Sequence, residues 1–177
     1  SKNYNVVVFD QMANMYLINS RGQIQWKKRI DGQTLSDIFE VDFYKNGKIQ
    51  YLFNTKDFIY LIDKNGNFVE SYPIKISPSA TNGLSLFDYK GNKDYRLMIA
   101  QADKKVHNYT IKGNAVFGWN KPKTKDFVNE EITRIVSGTK DYFVITDMAN
   151  NILIVNRRGN QRIKLEDHIE KAQHSSY

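Results

Sequence analysis

The sequence predicts an all-β fold made of about four copies of one small antiparallel sheet, and two sets of glycine turns carry that prediction. The first set recurs at spacings of 44, 47 and 46 residues and consists of Gly22, Gly66, Gly113 and Gly159. The second set recurs in step with it, at spacings of 44 and 47 residues, and consists of Gly47, Gly91 and Gly138. Runs that alternate apolar and polar residues flank both sets, as expected for half-buried strands joined by tight hairpins.

The first set of turns has a shared polar signature. In "INSRGQIQW" the residue three before Gly22 is Asn19, and the residue after the glycine is Gln23. The equivalent residues three before the other glycines are Asp63, Thr110 and Asn156. Glycine adopts a positive φ without steric cost, and Asn, Asp and Thr side chains accept hydrogen bonds from nearby backbone. Each unit therefore contains a strand, a tight turn and a second strand.

The second set of turns adds two more strands to each unit. "FYKNGKIQYLF" turns at Asn46-Gly47, and Asn-Gly between alternating runs is the strongest short hairpin signal. The first complete unit should have strands at about 38–44, 48–54, 58–63 and 67–75. Four strands with a period in the forties are typical of the blades of a β-propeller.

The repeats divide the chain into a propeller region, 1–166, and a tail, 167–177. The predicted blades are about 5–30, 36–76, 83–120 and 130–166. The first is incomplete, since it lacks its leading strand, and we expect the array to be part of a larger ring. Two alternatives stay open: the four units close on themselves, or the chain forms a homodimeric ring. "EDHIEKAQHSSY" in the tail fits a short helix or a frayed end.

A family resemblance follows from these residues. The stretch "VVVFDQMANMYLINSRGQIQWKKRI" resembles the pyrroloquinoline-quinone-like (PQQ-like) β-propeller repeat through Tyr16, Asn19, Gly22 and Trp26. The second unit matches through Tyr60, Asp63 and Gly66. The residues that take the place of Trp26 in the later units are Glu70, Phe117 and Ile163. The resemblance implies a propeller, and in the quinone-dependent dehydrogenases of that family it would also imply a quinone and Ca²⁺ in the channel.

Aromatic residues should fill the space between successive sheets. They make up 13% of the chain, and large flat side chains pack well between sheets. The aromatic residues expected in the core are Tyr16, Trp26, Phe53, Phe58, Tyr60, Phe68, Phe117, Trp119 and Phe143.

Composition limits the class of protein. Hydrophobic residues are 41% and charged residues 25% of the 177 residues, which is ordinary for a folded domain. No apolar stretch approaches the roughly 20 residues of a membrane span, so no span is expected. Cysteine is absent, which removes disulfides and thiolate chemistry and suits an extracytoplasmic compartment. The net charge of +7 indicates a basic surface, and binding of nucleic acid is not expected.

No catalytic, cofactor-binding or metal-binding residues are predicted, and no cofactor is expected. The glycines stand one to a turn, so no phosphate-binding loop is present. His107 occupies the register of Tyr16 and Tyr60, so we expect it to pack on a strand. His168 and His174 lie in the tail without a metal-binding spacing. An enzyme is therefore less favoured than a binding module.

Binding is expected in the segments that connect successive sheets, because rigid strands hold such loops in place. These segments are 31–37, 76–83 and 121–130. Their candidate partner-binding residues are Thr34, Asp37, Ser79, Thr81, Asn82, Lys121, Lys123 and Lys125.

The sequence thus favours a non-catalytic propeller segment that serves as a protein-interaction scaffold or ligand-binding module. The partner would be another protein, a second copy of the chain, or further blades of the same polypeptide. Two alternatives remain: a fragment of a quinone-dependent enzyme, and polyanion binding through the loop of Lys121, Lys123 and Lys125, which lies near Trp119 and Phe127.

Overall fold

The computed structural model describes residues 4–166 and residue 169, and these form fourteen β-strands in four antiparallel sheets. No helix occurs in this described part of the chain. The sequence-based expectation of an all-β, propeller-type array is confirmed. The chain divides into two compact units, Ser1–Ile76 and Ser77–Tyr177. The predicted helix or frayed end at 167–177 lies outside the described residues, apart from residue 169.

The first unit contains two sheets, with neighbouring strands in sequence order. The strands of the first sheet are β1 (Asn5–Phe9), β2 (Asn14–Asn19) and β3 (Ile24–Arg29). The strands of the second sheet are β4 (Phe39–Val41), β5 (Gln50–Asn54), β6 (Phe58–Asp63) and β7 (Ile74–Lys75).

The second unit also contains two sheets with neighbouring strands in sequence order. The strands of the third sheet are β8 (Ser85–Phe87), β9 (Arg96–Ala100) and β10 (Val106–Thr110). The strands of the fourth sheet are β11 (Thr133–Ser137), β12 (Lys140–Thr146), β13 (Ile152–Val155) and β14 (Gln161–Ile163).

The first set of glycine turns is equivalent in all four sheets. Each glycine has a φ between +75° and +84°, and its N–H donates to the carbonyl three residues earlier at 2.8–3.0 Å. The side chain of that earlier residue also accepts N–H groups of the turn. The accepting residues are Asn19, Asp63, Thr110 and Asn156. The predicted turn chemistry is therefore confirmed.

The first sheet lacks the strand that leads each of the other three. By the position of the glycine turns, β1 is the equivalent of β5, β9 and β12, which pair with β4, β8 and β11 respectively, whereas β1 pairs only with β2. Within the described residues no strand covers the outer side of β1. The incomplete first unit that the sequence predicts is present.

β4 is shorter than the alternating pattern predicts, because side chains accept the backbone N–H groups that would otherwise continue the strand. β4 ends at Val41, since the N–H of Phe43 donates to the Gln50 side chain at 2.7 Å. The Asp42 carboxylate then accepts the N–H groups of Asn46 and Gly47.

The last strand is also shorter than predicted in the second and third sheets. In the second sheet a left-handed residue, Glu70 (φ 44°), interrupts the run between residue 67 and β7. In the third sheet the fourth strand is reduced to one bridge, between Tyr109 and Ala115.

Each unit has its own apolar core. In the first unit Phe53 is fully buried, stacks on Tyr60 at 5.2 Å and meets the edge of Phe9 at 5.3 Å. In the second unit Phe143 and Trp119 are buried in one cluster of apolar side chains. Aromatic residues thus fill the space between the sheets of a unit, as expected.

Phe117 corrects the predicted core. Its side chain is fully exposed, whereas Trp119, two residues later, is buried. Trp119 contacts the turn at Gly159, where an added Cβ would lie 3.4 Å from its ring, and Trp26 makes the equivalent contact with Gly66 at 2.9 Å. The counterpart of Trp26 in the third sheet is therefore Trp119, because the chain turns at Gly118 (φ +76°) before reaching that position.

Phe68 is a second correction to the predicted core. It is 38% exposed, and the ammonium group of Lys28 lies 4.2 Å from its ring centroid. The ring is therefore a partly covered surface residue rather than a core residue.

Candidate functional site

The connecting segments are held against neighbouring sheets by hydrogen bonds. In segment 31–37, half-buried Thr34 forms an antiparallel bridge with Thr55, and the N–H of Leu35 donates to Asn54 at 2.9 Å. Asp37 is exposed, and its carbonyl accepts the hydroxyl of Ser36 at 2.8 Å. The Ser36 hydroxyl also accepts the N–H of Asn54 at 3.1 Å. Backbone groups and Ser36 therefore hold this segment, whereas Asp37 is exposed to solvent.

Segment 76–83 is anchored more strongly, and its polar side chains serve the fold. The carbonyl of half-buried Ser79 accepts the N–H of Ala102 at 2.8 Å. Thr81 donates its hydroxyl to the carbonyl of Val128 at 2.7 Å. Asn82 is 1% exposed and donates its amide to the carbonyl of Glu130 at 2.8 Å. Thr81 and Asn82 therefore hold segment 121–130 in place.

Segment 121–130 presents a row of lysines to solvent. Lys121, Lys123 and Lys125 are exposed and alternate with Pro122 and Thr124, which are buried. The Pro122 carbonyl accepts the N–H of Val106 at 3.0 Å, and the Thr124 hydroxyl donates to Asp126 at 2.7 Å. Residues 122–125 thus alternate between buried and exposed, which places Lys123 and Lys125 on the outward side of the segment. Lys121, with a left-handed φ of 46°, is exposed at its start.

Two further lysines adjoin this row. Lys105 forms an antiparallel bridge with Lys123, and Lys104 donates to the carboxylate of Asp126 at 3.1 Å while its ammonium lies 5.0 Å from the Phe127 ring centroid. We call Lys104, Lys105, Lys121, Lys123 and Lys125 the lysine face. Sequence reasoning found the last three; it missed the first two, because a bridge between a loop and a strand leaves no local signal.

A cavity of about 410 Å³ borders the lysine face. Its lining residues include exposed Lys123, Lys125 and Lys164, half-buried Ile152 and Leu153, and the acidic residues Asp147 and Glu166. A concave site that combines apolar side chains with a few charged groups is typical of ligand-binding sites. This cavity could accept an apolar side chain of a ligand while the lysines contact acidic groups.

The carboxylate of Asp147 anchors the bottom of this site. Burial acts to raise the pKa of Asp147, but hydrogen bonds from Asn151, Asp126 and Ala149 lower it below its ordinary value. Asp147 therefore stays ionised and fixes the position of Asp126, whose N–H it accepts at 2.9 Å. In the first sheet Asp10 has the same place, and hydrogen bonds from Asn14 lower its pKa to about 2.

Asp126 links the lysine face to this anchor. The hydrogen bond from Lys104, followed by that from the Phe127 N–H, lowers the pKa of Asp126. The carboxylate is therefore ionised at neutral pH and offsets one of the five lysine charges.

His107 packs on β10, as predicted. Its ring is 8% exposed, lies parallel to Tyr109, and has Nε2 3.1 Å from the nearer carboxylate oxygen of Asp103. Burial lowers the pKa of His107, and Lys121 and Lys105 add to this effect, while Asp103 opposes it. His107 is therefore neutral at pH 7 and supports the strand behind the lysine face.

The described residues contain no group of three or more His, Asp or Glu side chains placed to hold a metal ion. His168 and His174 lie outside the described residues. The described residues contain no helix that is long and apolar enough to cross a membrane.

Comparison with solved structures finds β-propeller domains. The crystal structure of BBS1N in complex with ARL6DN, soaked with lead, matches with a TM-score of 0.64 and 9% identity, over 93% of this chain and 53% of that chain. The mercury-soaked crystal of this complex matches with a TM-score of 0.61 and 14% identity, over 86% and 42% of the respective chains. No family model and no curated protein matches the sequence.

These likenesses define the class of the chain through its fold alone, since the sequence identity is low. The chain is a β-propeller-type repeat protein that spans about half the length of the solved chains it matches.

Proposed function

We propose that this chain is a non-catalytic β-propeller module that binds a protein partner through the lysine face. The observation that carries the proposal is the row of three exposed lysines on a segment whose backbone is fixed by Pro122 and Thr124. A propeller of the same fold, BBS1N, is in complex with another protein, ARL6DN, in both matched crystal structures. That pairing supports a protein as the class of partner.

The chemistry of the site selects an acidic partner segment with apolar side chains. Exposed Phe127 (39%) follows Lys125 by two residues, and the ammonium group of Lys104 lies 5.0 Å from its ring centroid. Exposed Met148 (59%) lies beside Phe127, since its N–H donates to the carbonyl of Phe127. Aromatic and methionine side chains are common anchors at binding surfaces. Lysines around such anchors add specificity and speed of association.

The assignment of the units to the PQQ-like class belongs to the same proposal. Its support is the contact of Trp26 with the turn of the second sheet, where the indole N–H also donates to the carbonyl of Lys64 at 2.9 Å. In this assignment the signature tryptophan of one sheet packs against the glycine turn of the next sheet.

The test uses a synthetic peptide that alternates glutamate and leucine, with a glutamine-for-glutamate peptide as the neutral probe. The variant Lys121→Gln/Lys123→Gln/Lys125→Gln should weaken binding of the acidic peptide about five- to a hundredfold, since each exposed ion pair contributes roughly 0.3–1 kcal/mol. Its melting temperature should stay that of the unmodified protein, because all three side chains are exposed.

The matched control removes three exposed lysines from the first unit, as Lys48→Gln/Lys56→Gln/Lys75→Gln. It should bind the acidic peptide as the unmodified protein does. Equal weakening in both triple variants, or equal binding of the acidic and neutral peptides, would show that the lysine face is not the binding site.

A further inference from the structure

A second cluster of cations lies on the fourth sheet, at the rim opposite the turn that carries Asp147. In a four-stranded meander, the turns β11–β12 and β13–β14 share one rim, and the turn β12–β13, which carries Asp147, lies at the other. β12 runs from Lys140 to Thr146, so the two rims are roughly 20 Å apart at about 3.3 Å per residue. Lys123 and Lys125 line the cavity at the Asp147 rim, whereas the cations of the first rim line a different cavity. Lys121 lies beside the first rim, because the N–H of Asn120 donates to the carbonyl of Arg158 at 2.9 Å and Pro122 lies against Gly159.

Asp141 organises the cluster. It is 3% exposed, and one of its oxygens, Oδ1, lies 2.6 Å from both Nε and Nη2 of Arg134. Its other oxygen, Oδ2, contacts Nε of Arg157. One carboxylate thus holds two guanidinium groups, which leaves a surplus positive charge on this triad.

Aromatic rings fix the orientation of the guanidinium groups. Arg134 and Arg157 both lie over the ring of Tyr89, at 5.1 and 4.7 Å from its centroid. Arg162 lies over Tyr142 at 5.1 Å. Because stacking and the Asp141 contact restrain these planar groups, little conformational entropy is lost when their remaining N–H groups bind a ligand.

Arg157 and Arg162 line a cavity of about 350 Å³. Four of its lining residues are cationic, and they are Lys140, Arg157, Arg158 and Arg162. The sole acidic residue in the lining is Asp141, which is already shared by two arginines. Cations of one sign around a concave surface produce a strong positive potential, which attracts anions.

We propose that this cavity binds a phosphate group. Guanidinium groups offer forked N–H donors that match the oxygens of phosphate, and a dianion offsets more of the local charge than a carboxylate would. Asn156 and Asn160 also line the cavity and have amide groups. The phosphate group comes either from a free phosphorylated small molecule or from a lipid headgroup, which present the same chemistry.

The test measures melting temperature and calorimetric binding with inorganic phosphate and pyrophosphate, against sodium chloride of equal ionic strength. We expect both anions to raise the melting temperature of the unmodified protein, because a ligand that binds only the folded state stabilises it. The variant Arg158→Gln/Arg162→Gln should bind at least about tenfold more weakly, since it removes two charged donors.

Arg21→Gln is the matched control. Arg21 precedes Gly22 as Arg158 precedes Gly159, in an equivalent turn, and it is exposed. Phosphate also stabilises proteins through general exclusion from their surface, and this effect is equal in all variants. The same shift of melting temperature in the double variant and in the unmodified protein would overturn the proposal.

Vesicles distinguish the two sources of the phosphate group. We compare vesicles that contain phosphatidic acid with vesicles that contain an equal charge of phosphatidylserine, in addition to free phosphate. Recruitment to phosphatidic acid that the double variant loses identifies a lipid headgroup, and binding of free phosphate without recruitment identifies a soluble ligand. Failure of both phosphate and phosphatidic acid to bind would overturn the proposal.

Discussion

At the scale of single residues, Gly66 meets two requirements at once. Its φ of +84° disfavours any side chain, and an added Cβ would lie 2.9 Å from the ring of Trp26. Gly47 has nearly the same φ, +81°, but nothing lies within 4 Å of its Cβ position. The two glycines therefore separate the cost of backbone conformation from the cost of a clash with the packed tryptophan.

We predict that Gly47→Ala lowers the free energy of unfolding by about 1 kcal/mol, the cost of a left-handed alanine. Gly66→Ala should lower it by about 2–4 kcal/mol, because overpacking adds about 1–3 kcal/mol. Urea unfolding followed by tryptophan fluorescence measures both values. Equal losses in the two variants would mean that Trp26 does not pack against the Gly66 turn.

The residues that stabilise each glycine turn were predictable from sequence, whereas the tryptophan that packs on the Gly159 turn was not. Asn19 and Asp63 bond their own turns, so a local pattern identifies them. Trp119 contacts a turn 40 residues away, at Gly159. A register based on the distance from the preceding glycine selected Phe117 instead, and Phe117 is exposed.

At the scale of elements, the edge strand β1 has an apolar outward face. Val6 and Val8 are 54% and 41% exposed, while Val7 and Phe9 pack against the core of the first unit. Edge strands with exposed apolar side chains tend to pair with further strands. If the chain pairs with a second copy or with further blades, as the sequence predicts, we expect the contact to form at β1.

We predict that the unmodified protein self-associates with concentration, and that Val6→Lys/Val8→Lys weakens this association at least about fivefold, since charges on an edge oppose strand pairing. The free energy of unfolding should change by less than about 0.5 kcal/mol, as for other surface substitutions. Sedimentation velocity over a range of concentrations measures the association. Asn65→Lys/Ser71→Lys, which adds the same charge at exposed positions outside the strands, should associate normally; a similar loss there would attribute the effect to net charge.

At the scale of the whole molecule, the net charge of +7 gives a long-range attraction for anions. Within the second unit the positive charge is concentrated on the lysine face and on the arginine cluster around Asp141. Exposed charges act over about 10 Å at an ionic strength of about 0.1 M, so they affect the encounter of two molecules more than the stability of the complex.

We predict that the association rate of the glutamate–leucine peptide falls about tenfold when ionic strength rises from about 0.05 to about 0.5 M, while the dissociation rate changes less than about threefold. Stopped-flow fluorescence measures both rates, with the glutamine peptide as the control. A dissociation rate that carries most of the salt dependence would indicate desolvated ion pairs instead of steering by the whole charge distribution.

The sequence by itself determined the repeat, its turns and the all-β class, because hydrogen bonds within a turn and alternation along a strand involve residues close together in the chain. It also located Lys121, Lys123 and Lys125. Tertiary structure alone decided which residues meet across sheets: Trp119 with Gly159, Lys105 beside Lys123, and Arg134 with Arg157 on Asp141. Such contacts depend on how sheets pack, and no short stretch of sequence encodes the distance between residues that lie far apart in the chain.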